Sequence, residues 1–129
     1  KALQNMIDEW NDNQENIFCD FTFEDVPSNL SDSLRISLYR ITQEGLTNTL
    51  KYSKASKVNV KIRKVVDDGV EKINLKIEDN GIGMDKDGVK PGFGILGMRE
   101  RVEMNEGEFA IDSAPEAGVK INILVPLSK

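Results

Sequence analysis

The chain has 129 residues, of which 39% are hydrophobic and 30% charged, and this composition is that of one globular domain. Its net charge of −5 argues against nucleic-acid binding, which depends on Lys and Arg side chains that neutralise phosphates. One cysteine and no histidine exclude an internal disulfide and a Cys/His zinc site, so Cys19 is predicted to be a small buried hydrophobic residue.

The first half of the chain predicts a helix, a strand and a long second helix. Apolar residues at helical spacing indicate a helix over residues 1–13, and alternation over residues 17–23 indicates a strand. After a turn-rich link, Asn29 or Ser31 can cap a helix over about residues 32–54. That helix is apolar on two sides, which predicts that it is sandwiched between other elements. One side carries Leu34, Leu38, Ile41, Gly45 and Tyr52, and the other carries Ile36, Tyr39, Leu46 and Leu50.

The middle of the chain predicts a hairpin, a glycine-rich stretch and a third helix. Apolar and polar residues alternate over residues 58–62 and 73–77 on either side of Asp67-Asp68-Gly69, which indicates a β-hairpin. Glycines then recur from Asp79 to Gly97, and a helix is predicted over about residues 95–105.

Two more strands are predicted at the end of the chain, over residues 108–112 and 120–125, joined by a turn at residues 115–118. Helices combined with a largely antiparallel sheet predict an α+β fold. We expect a two-layer sandwich in which about three helices cover a mixed, mostly antiparallel sheet.

Glu44, Asn48 and Lys51 form a polar corner of the second helix, within about 60° of one another at 100° per residue. Asn is unfavourable inside a helix because its side chain competes for backbone hydrogen bonds, so the presence of Asn48 in this helix needs an explanation other than helix propensity. A carboxylate, an amide oxygen and an ammonium can supply a base, a ligand for Mg²⁺ and a charge for a phosphate oxygen. The alternative is an ordinary solvated face, which is what most charged patterns on helices are.

The segment Asp79-Asn80-Gly81-Ile82-Gly83-Met84 directly follows a predicted strand. A carboxylate at a strand end can accept a hydrogen bond from an exocyclic amine such as that of adenine, and the two glycines leave room for a flat ligand. The alternative is a simple turn, since Asp, Asn and Gly are common turn residues.

The segment Gly92-Phe93-Gly94-Ile95-Leu96-Gly97 matches G-x-G-x-x-G and opens the third helix, where backbone N–H groups can hold phosphate oxygens. A dinucleotide-binding fold must also be considered, because Asp112 lies at about the distance from this motif at which that fold has an acidic residue. The context argues against that fold, because residues 85–91 are charged, contain Gly and Pro, and do not form a βαβ pattern. No G-x-x-x-x-G-K-[ST] occurs, which excludes a P-loop.

The order of these motifs is more specific than any one of them. Glu44-x-x-x-Asn48-x-x-Lys51-Tyr52, then Asp79-x-Gly81-x-Gly83, then Gly92-x-Gly94, resembles the N, G1 and G2 boxes of the GHKL ATPases, which include gyrase, MutL, the large heat-shock chaperone and histidine kinases. The segments LYRITQEGLTNTLKYSKAS and GFGILGMRERVEMNEGEFAIDSAP look like sensor histidine kinases that pair with NarL/LuxR-type response regulators. The resemblance covers about residues 30–126.

The resemblance implies the role of each site residue. Asn48 would coordinate Mg²⁺, Glu44 would orient or activate the attacking group, and Asp79 would accept a hydrogen bond from the adenine amine. The two glycines at 92 and 94 would hinge a small lid over the phosphates. The nucleotide-binding residues implied in this way are Asn48, Lys51, Tyr52, Asp79, Gly81, Gly83, Met84, Gly92, Gly94, Ile95 and Leu96.

Two positions depart from the family pattern. The last box usually reads Gly-Thr, whereas this chain has Gly118-Val119 and therefore lacks a hydroxyl that the family places near the adenine. Gly45 stands where alanine is common, which costs the helix up to about 1 kcal/mol. Neither position is implied to touch the metal or the phosphates.

The function implied is Mg²⁺-dependent ATP binding and transfer of the γ-phosphoryl group to a histidine outside this chain, for relay to a response regulator of the LuxR/NarL type. The chain begins at Lys1 rather than a methionine, so we expect a fragment of a larger protein. Because the resemblance implies that a separate histidine-bearing segment dimerises such kinases, we expect the fragment to be monomeric and its parent to be a homodimer. No run approaches the roughly 20 apolar residues of a membrane span. We therefore expect a cytoplasmic domain, whose parent protein can still be membrane-anchored.

Two other functions stay open at this point. One is a GHKL serine kinase of the anti-sigma type, which needs no histidine of its own. The other is a non-catalytic module that has lost ATP and only binds a partner, for which Val119 is the one feature in favour. Retention of Glu44, Asn48, Asp79 and the loop glycines argues against this second alternative.

Overall fold

The fold consists of three helices and five strands in a computed structural model, which describes residues 2–27, 30–49, 55–81, 95–113 and 118–127. The helices are α1 (Ala2–Asp12), α2 (Asp32–Asn48) and α3 (Ile95–Met104). The strands are β1 (Phe18–Glu24), β2 (Lys57–Asp67), β3 (Val70–Asp79), β4 (Glu108–Ser113) and β5 (Val119–Pro126). Every helix and strand predicted from the sequence is present.

The five strands form one open sheet in the order β1-β2-β3-β5-β4. The outer pair β1–β2 is parallel, and the other three pairs are antiparallel. Alternate residues of the strands join apolar residues of all three helices in a single hydrophobic core. The helices therefore cover one face of the sheet, which confirms the predicted two-layer α+β sandwich with a mixed, mostly antiparallel sheet.

The start of α2 is set by Ser31, whose side-chain oxygen accepts a hydrogen bond from the Leu34 backbone N–H at 3.1 Å. Of the two predicted caps, Ser31 is therefore the one that caps this helix. The helix runs to Asn48, and residues 50–54 of the predicted range lie outside the described residues. The second predicted apolar side is only partly buried, because Leu46 is 1% exposed whereas Ile36 is 55% exposed. The reason is that the sheet covers only one side of this helix.

The turn between β2 and β3 is the predicted one. Asp67 pairs with Val70, so that two residues connect the strands, and both have positive φ, at 56° for Asp68 and 78° for Gly69. Two positive φ values characterise the hairpin turn whose twist matches that of the strands, and they explain the Asp-Gly sequence.

Helices α2 and α3 are joined by a buried polar contact. The Asn105 side-chain nitrogen, just after α3, donates to the Ser37 hydroxyl at 3.0 Å and to the Arg101 carbonyl oxygen at 2.9 Å. One turn further along α2, Ile41 faces the same cleft as Arg101. The two helices therefore run antiparallel, and this hydrogen bond sets their register.

Two glycines allow close packing, and we expect them to respond differently to alanine. A Cβ at Gly45 would lie 2.7 Å from the terminal Cδ1 atom of Ile77, which can rotate away. A Cβ at Gly107 would lie 2.6 Å from the Leu124 backbone carbonyl oxygen, which cannot move without disturbing the sheet. We expect Gly45→Ala to change the free energy of unfolding by less than about 1 kcal/mol, because helix propensity offsets the contact.

For Gly107→Ala we expect a loss of about 2 kcal/mol or more, since an overpacked site shifts the backbone. Urea unfolding followed by circular dichroism measures both variants. Equal losses for the two substitutions would contradict the role assigned to the Leu124 carbonyl.

Cys19 is buried, as predicted, and lies on the outer strand of the sheet. The Asn11 side chain of α1 closes that edge, accepting from the Cys19 N–H at 2.8 Å and donating to the Cys19 carbonyl oxygen at 3.0 Å. Burial, and secondarily the charge of Asp20, raises the pKa of the Cys19 thiol to about 12. Because the thiolate is the reactive form, we expect negligible reaction with a disulfide reagent at about pH 8 until the protein is unfolded. Rapid labelling of the native protein would contradict this environment.

Candidate functional site

The carboxylate of Asp79, at the end of β3, is held by groups from three parts of the chain. Its Oδ1 atom accepts from the Gly81 backbone N–H at 2.9 Å and from the Val119 backbone N–H at 3.3 Å. Its Oδ2 atom lies 3.4 Å from the hydroxyl of Thr49, at the end of α2. The group is half-buried on the side of the sheet that carries the helices. These contacts fix the orientation of the carboxylate before any ligand binds.

Gly118 brings the start of β5 against the end of β3. It has φ of +77°, and a Cβ added there would overlap the backbone carbonyl oxygen of Asp79. Only glycine allows both the left-handed backbone and this close approach. The sequence predicted a turn at this position, but not that the turn would place the Val119 N–H on the Asp79 carboxylate.

Asn80 anchors the loop that follows Asp79. Its side-chain oxygen accepts from the Ser56 and Lys57 backbone N–H groups, each at 3.0 Å, and its side-chain nitrogen donates to the Ser56 hydroxyl at 3.0 Å. This bridge ties the exit of β3 to the entry of β2. From the sequence alone, Asn80 is predicted only to be a turn residue. Its position directly after Asp79 was the only signal for this role.

Asn48 is buried, with only 6% of the residue exposed, and so does not lie on a solvated helix face. Neither its side-chain oxygen nor its side-chain nitrogen has a hydrogen-bond partner among the residues that the structure describes. A buried amide without a partner is destabilising, so its presence inside a helix points to a ligand that completes its hydrogen bonds or coordination.

The donor set around Asn48 fits Mg²⁺ better than a metal held by protein alone. In the described part of the chain, no group of three His, Cys, Asp or Glu side chains could chelate a metal ion. Mg²⁺ keeps most of its ligands as water and substrate phosphates and takes only one or two protein oxygens. The amide oxygen of Asn48 would supply one such oxygen, while half-buried Glu44 lies one helical turn away.

Glu44 lines a cleft of about 200 Å³ between α2 and α3, which we call the α2–α3 cleft. Its walls are formed from α2 by Arg40, Ile41, Gln43 and Glu44, and from α3 by Gly97, Met98 and Arg101. Asn48, Glu44 and Arg40 succeed one another at intervals of four residues, so they form a row on one side of α2.

The other predicted site residues divide into two groups. Ile95 is the first residue of α3, and Leu96, which follows it, is 69% exposed. Gly81 is buried and donates to Asp79. The remaining predicted residues lie outside the described residues: Lys51, Tyr52, Gly83, Met84, Gly92 and Gly94.

Thr49 also belongs to the site, although it is not among the residues predicted from the sequence. Its hydroxyl donates to the Gly45 carbonyl oxygen at 3.0 Å and lies near Asp79. The Thr49 hydroxyl thus lies near Oδ2 of Asp79, whereas the Val119 backbone N–H donates to Oδ1. The only sequence signal was that Thr49 directly follows Asn48.

The chain matches the family described as histidine kinase-, DNA gyrase B-, and HSP90-like ATPase over residues 33–129. It is 39% identical over 113 residues to the signal transduction histidine-protein kinase/phosphatase DegS of Brevibacillus brevis, an alignment that covers 87% of the chain and 28% of DegS. It is 38% identical over 105 residues to the sensor protein VraS of Staphylococcus saprophyticus, covering 81% of the chain and 28% of VraS. The chain thus spans little more than a quarter of the length of these relatives.

The fold is also that of a solved histidine kinase domain, from the Erythrobacter litoralis EL346 blue-light activated histidine kinase. The two superpose with a TM-score of 0.74 at 20% identity, over 97% of this chain and 63% of that one. Within the described residues, no helix is long and apolar enough to cross a membrane.

Proposed function

Because the chain belongs to the family of histidine kinase-, DNA gyrase B- and HSP90-like ATPases, we propose that it is the ATP-binding catalytic domain of a two-component sensor histidine kinase. One observation of the structure carries the proposal. The fixed carboxylate of Asp79 lies at the end of the helix that holds Asn48, whose buried amide has no partner among the described residues. Asp79 can accept a hydrogen bond from the amine of the base, and Asn48 can offer an oxygen to the cation on the phosphates. The pair therefore matches the two ends of a nucleotide–Mg²⁺ complex.

The residues have distinct tasks in this proposal. Asp79 accepts a hydrogen bond from the exocyclic amine of adenine, and Gly81 and Gly83 leave room for the base. Asn48 coordinates Mg²⁺, which neutralises phosphate charge when bound. Glu44 orients the attacking imidazole.

The remaining nucleotide contacts follow the family pattern. Lys51 meets the phosphates, Tyr52 and Met84 pack on the nucleotide, and Gly92 and Gly94 begin a lid over the phosphates. Ile95 and Leu96 complete the site at the start of α3.

The acceptor of the phosphoryl group lies outside this chain, which contains no histidine. We propose that the acceptor belongs to a dimerisation segment of a longer, homodimeric kinase, and that the phosphoryl group passes on to a response regulator of the NarL/LuxR type. The domain itself would be monomeric and cytoplasmic, with membrane anchorage left to other parts of the parent protein. The names of the relatives, which are sensor and histidine-protein kinases, support histidine rather than serine as the acceptor.

Titration calorimetry with a non-hydrolysable ATP analogue tests the nucleotide site. We expect saturable, Mg²⁺-dependent binding that is weakened about tenfold or more by Asp79→Asn, because an amide nitrogen would then face the adenine amine and the backbone N–H groups. Asp112→Asn on exposed β4 removes the same charge and should leave binding unchanged. No binding by the folded wild-type protein at millimolar nucleotide would refute the proposal and favour a partner-binding module.

A further inference from the structure

The α2–α3 cleft presents two arginines beside Glu44. Arg40 lines it from α2 and Arg101 from α3, while Gly97 leaves open space on the α3 side, where an added Cβ would meet nothing within 4 Å. The hydrogen bond between Asn105 and Ser37 holds the two helices in the register that brings both arginines to one opening. The cleft is therefore built by two elements rather than by one flexible surface segment.

Neither arginine is neutralised within the described part of the chain. The ion pairs there all lie elsewhere, at Arg35–Asp32, Lys57–Asp20, Lys61–Glu24, Lys64–Glu71 and Lys72–Asp67. The two guanidinium groups have no carboxylate of a described residue within 4.0 Å, so in a domain of net charge −5 they form a local positive site. Planar guanidinium groups favour phosphate and carboxylate oxygens, which they bind in a bidentate manner.

The position of the α2–α3 cleft relative to Asn48 indicates which anion the two arginines can bind. At a rise of 1.5 Å per residue, Glu44 lies about 6 Å and Arg40 about 12 Å from Asn48 along the axis of α2. With Asp79 beyond one end of this row and Arg101 across the cleft at the other, the site extends from Asp79 and Asn48 through Glu44 to the two arginines. A ligand whose amine end binds Asp79, and whose cation binds Asn48, points its terminal anionic group towards this cleft.

We infer that the α2–α3 cleft receives the γ-phosphoryl group of ATP, and that Arg40 and Arg101 bind its oxygens. This inference rests on the proposed function, since it assigns the terminal phosphate of the same nucleotide. Glu44 alone would repel a phosphoryl group, and the two guanidinium groups offset that repulsion. A carboxylate that accepts an imidazole proton can then lie beside the phosphate that the imidazole attacks.

The test compares ADP with a non-hydrolysable ATP analogue, at equal Mg²⁺ and ionic strength, for Arg40→Gln and Arg101→Gln. Each variant should lose about tenfold in affinity for the ATP analogue, the scale of one charge-assisted hydrogen bond, and little for ADP. Arg35→Gln removes the same charge from exposed α2 and controls for long-range electrostatics. Gly97→Leu, which fills the open side of the cleft, should reduce the same preference without loss of folding.

The possible outcomes separate the two proposals. If the wild type binds both nucleotides and the arginine variants keep the wild-type ratio of affinities, the inference is overturned while the nucleotide site stands. Equal losses for ADP and the ATP analogue would also overturn it, because the arginines would then not distinguish the γ-phosphate. If the wild type binds neither nucleotide, the proposed function fails and the inference fails with it. Thermal unfolding of each variant shows that the comparison concerns folded protein.

Discussion

Replacing Asn48 by alanine is expected to abolish Mg²⁺-dependent nucleotide binding while leaving the domain at least as stable as the wild type. The wild-type side chain is buried without a hydrogen-bond partner among the described residues, a situation that costs about 1–3 kcal/mol. Alanine removes that penalty and is also the better helix former. We therefore expect the free energy of unfolding to rise by about 1 kcal/mol and the affinity for the ATP analogue to fall at least about 100-fold, since a metal contact is lost.

Asn105 is the matched control, because it is an equally buried asparagine whose side chain is bonded. Its nitrogen donates to the Ser37 hydroxyl and the Arg101 carbonyl, so Asn105→Ala should lower the free energy of unfolding by about 1–3 kcal/mol. Urea unfolding and calorimetry on both variants give the comparison. A destabilised Asn48→Ala that still binds nucleotide would show that Asn48 is a structural residue.

Replacing Gly118 by alanine should destabilise the domain by about 3 kcal/mol or more and weaken nucleotide binding at the same time. The new Cβ would impose strain at φ of +77° and would overlap the Asp79 carbonyl oxygen. Relief of that overlap must move either β5 or the end of β3. Either movement breaks the contact between the Val119 N–H and the Asp79 carboxylate.

Gly69 separates the two causes of this loss. It has nearly the same φ, +78°, but a Cβ there would meet nothing within 4 Å. Gly69→Ala therefore shows the conformational effect alone, about 1–2 kcal/mol, and should leave nucleotide binding unchanged. Urea unfolding of the two variants measures the difference. Similar losses in both would mean that the contact between Gly118 and Asp79 does not constrain the site.

The order and type of the elements could be predicted because they depend on local patterns. Apolar residues repeating about every 3.6 residues identified α1 and α2, and alternation of apolar and polar residues identified the strands. The pair Asp68-Gly69 identified the hairpin turn. The same patterns could not tell that β1 pairs with β2 in parallel, because alternation is identical in both kinds of sheet. They also failed for Ile36, whose exposure depends on what covers the helix rather than on its own sequence.

The sequence by itself determined the helices, the strands, their order and the motif positions, since each follows from residues only a few places apart. Only the tertiary structure decided which of those residues meet. Val119 reaches Asp79 across 40 positions, and Asn105 reaches Ser37 across 68. The burial of Asn48 and the opening between α2 and α3 arise in the same way. The physical reason is that such contacts depend on how the sheet and helices pack, which the spacing of residues along one segment does not specify.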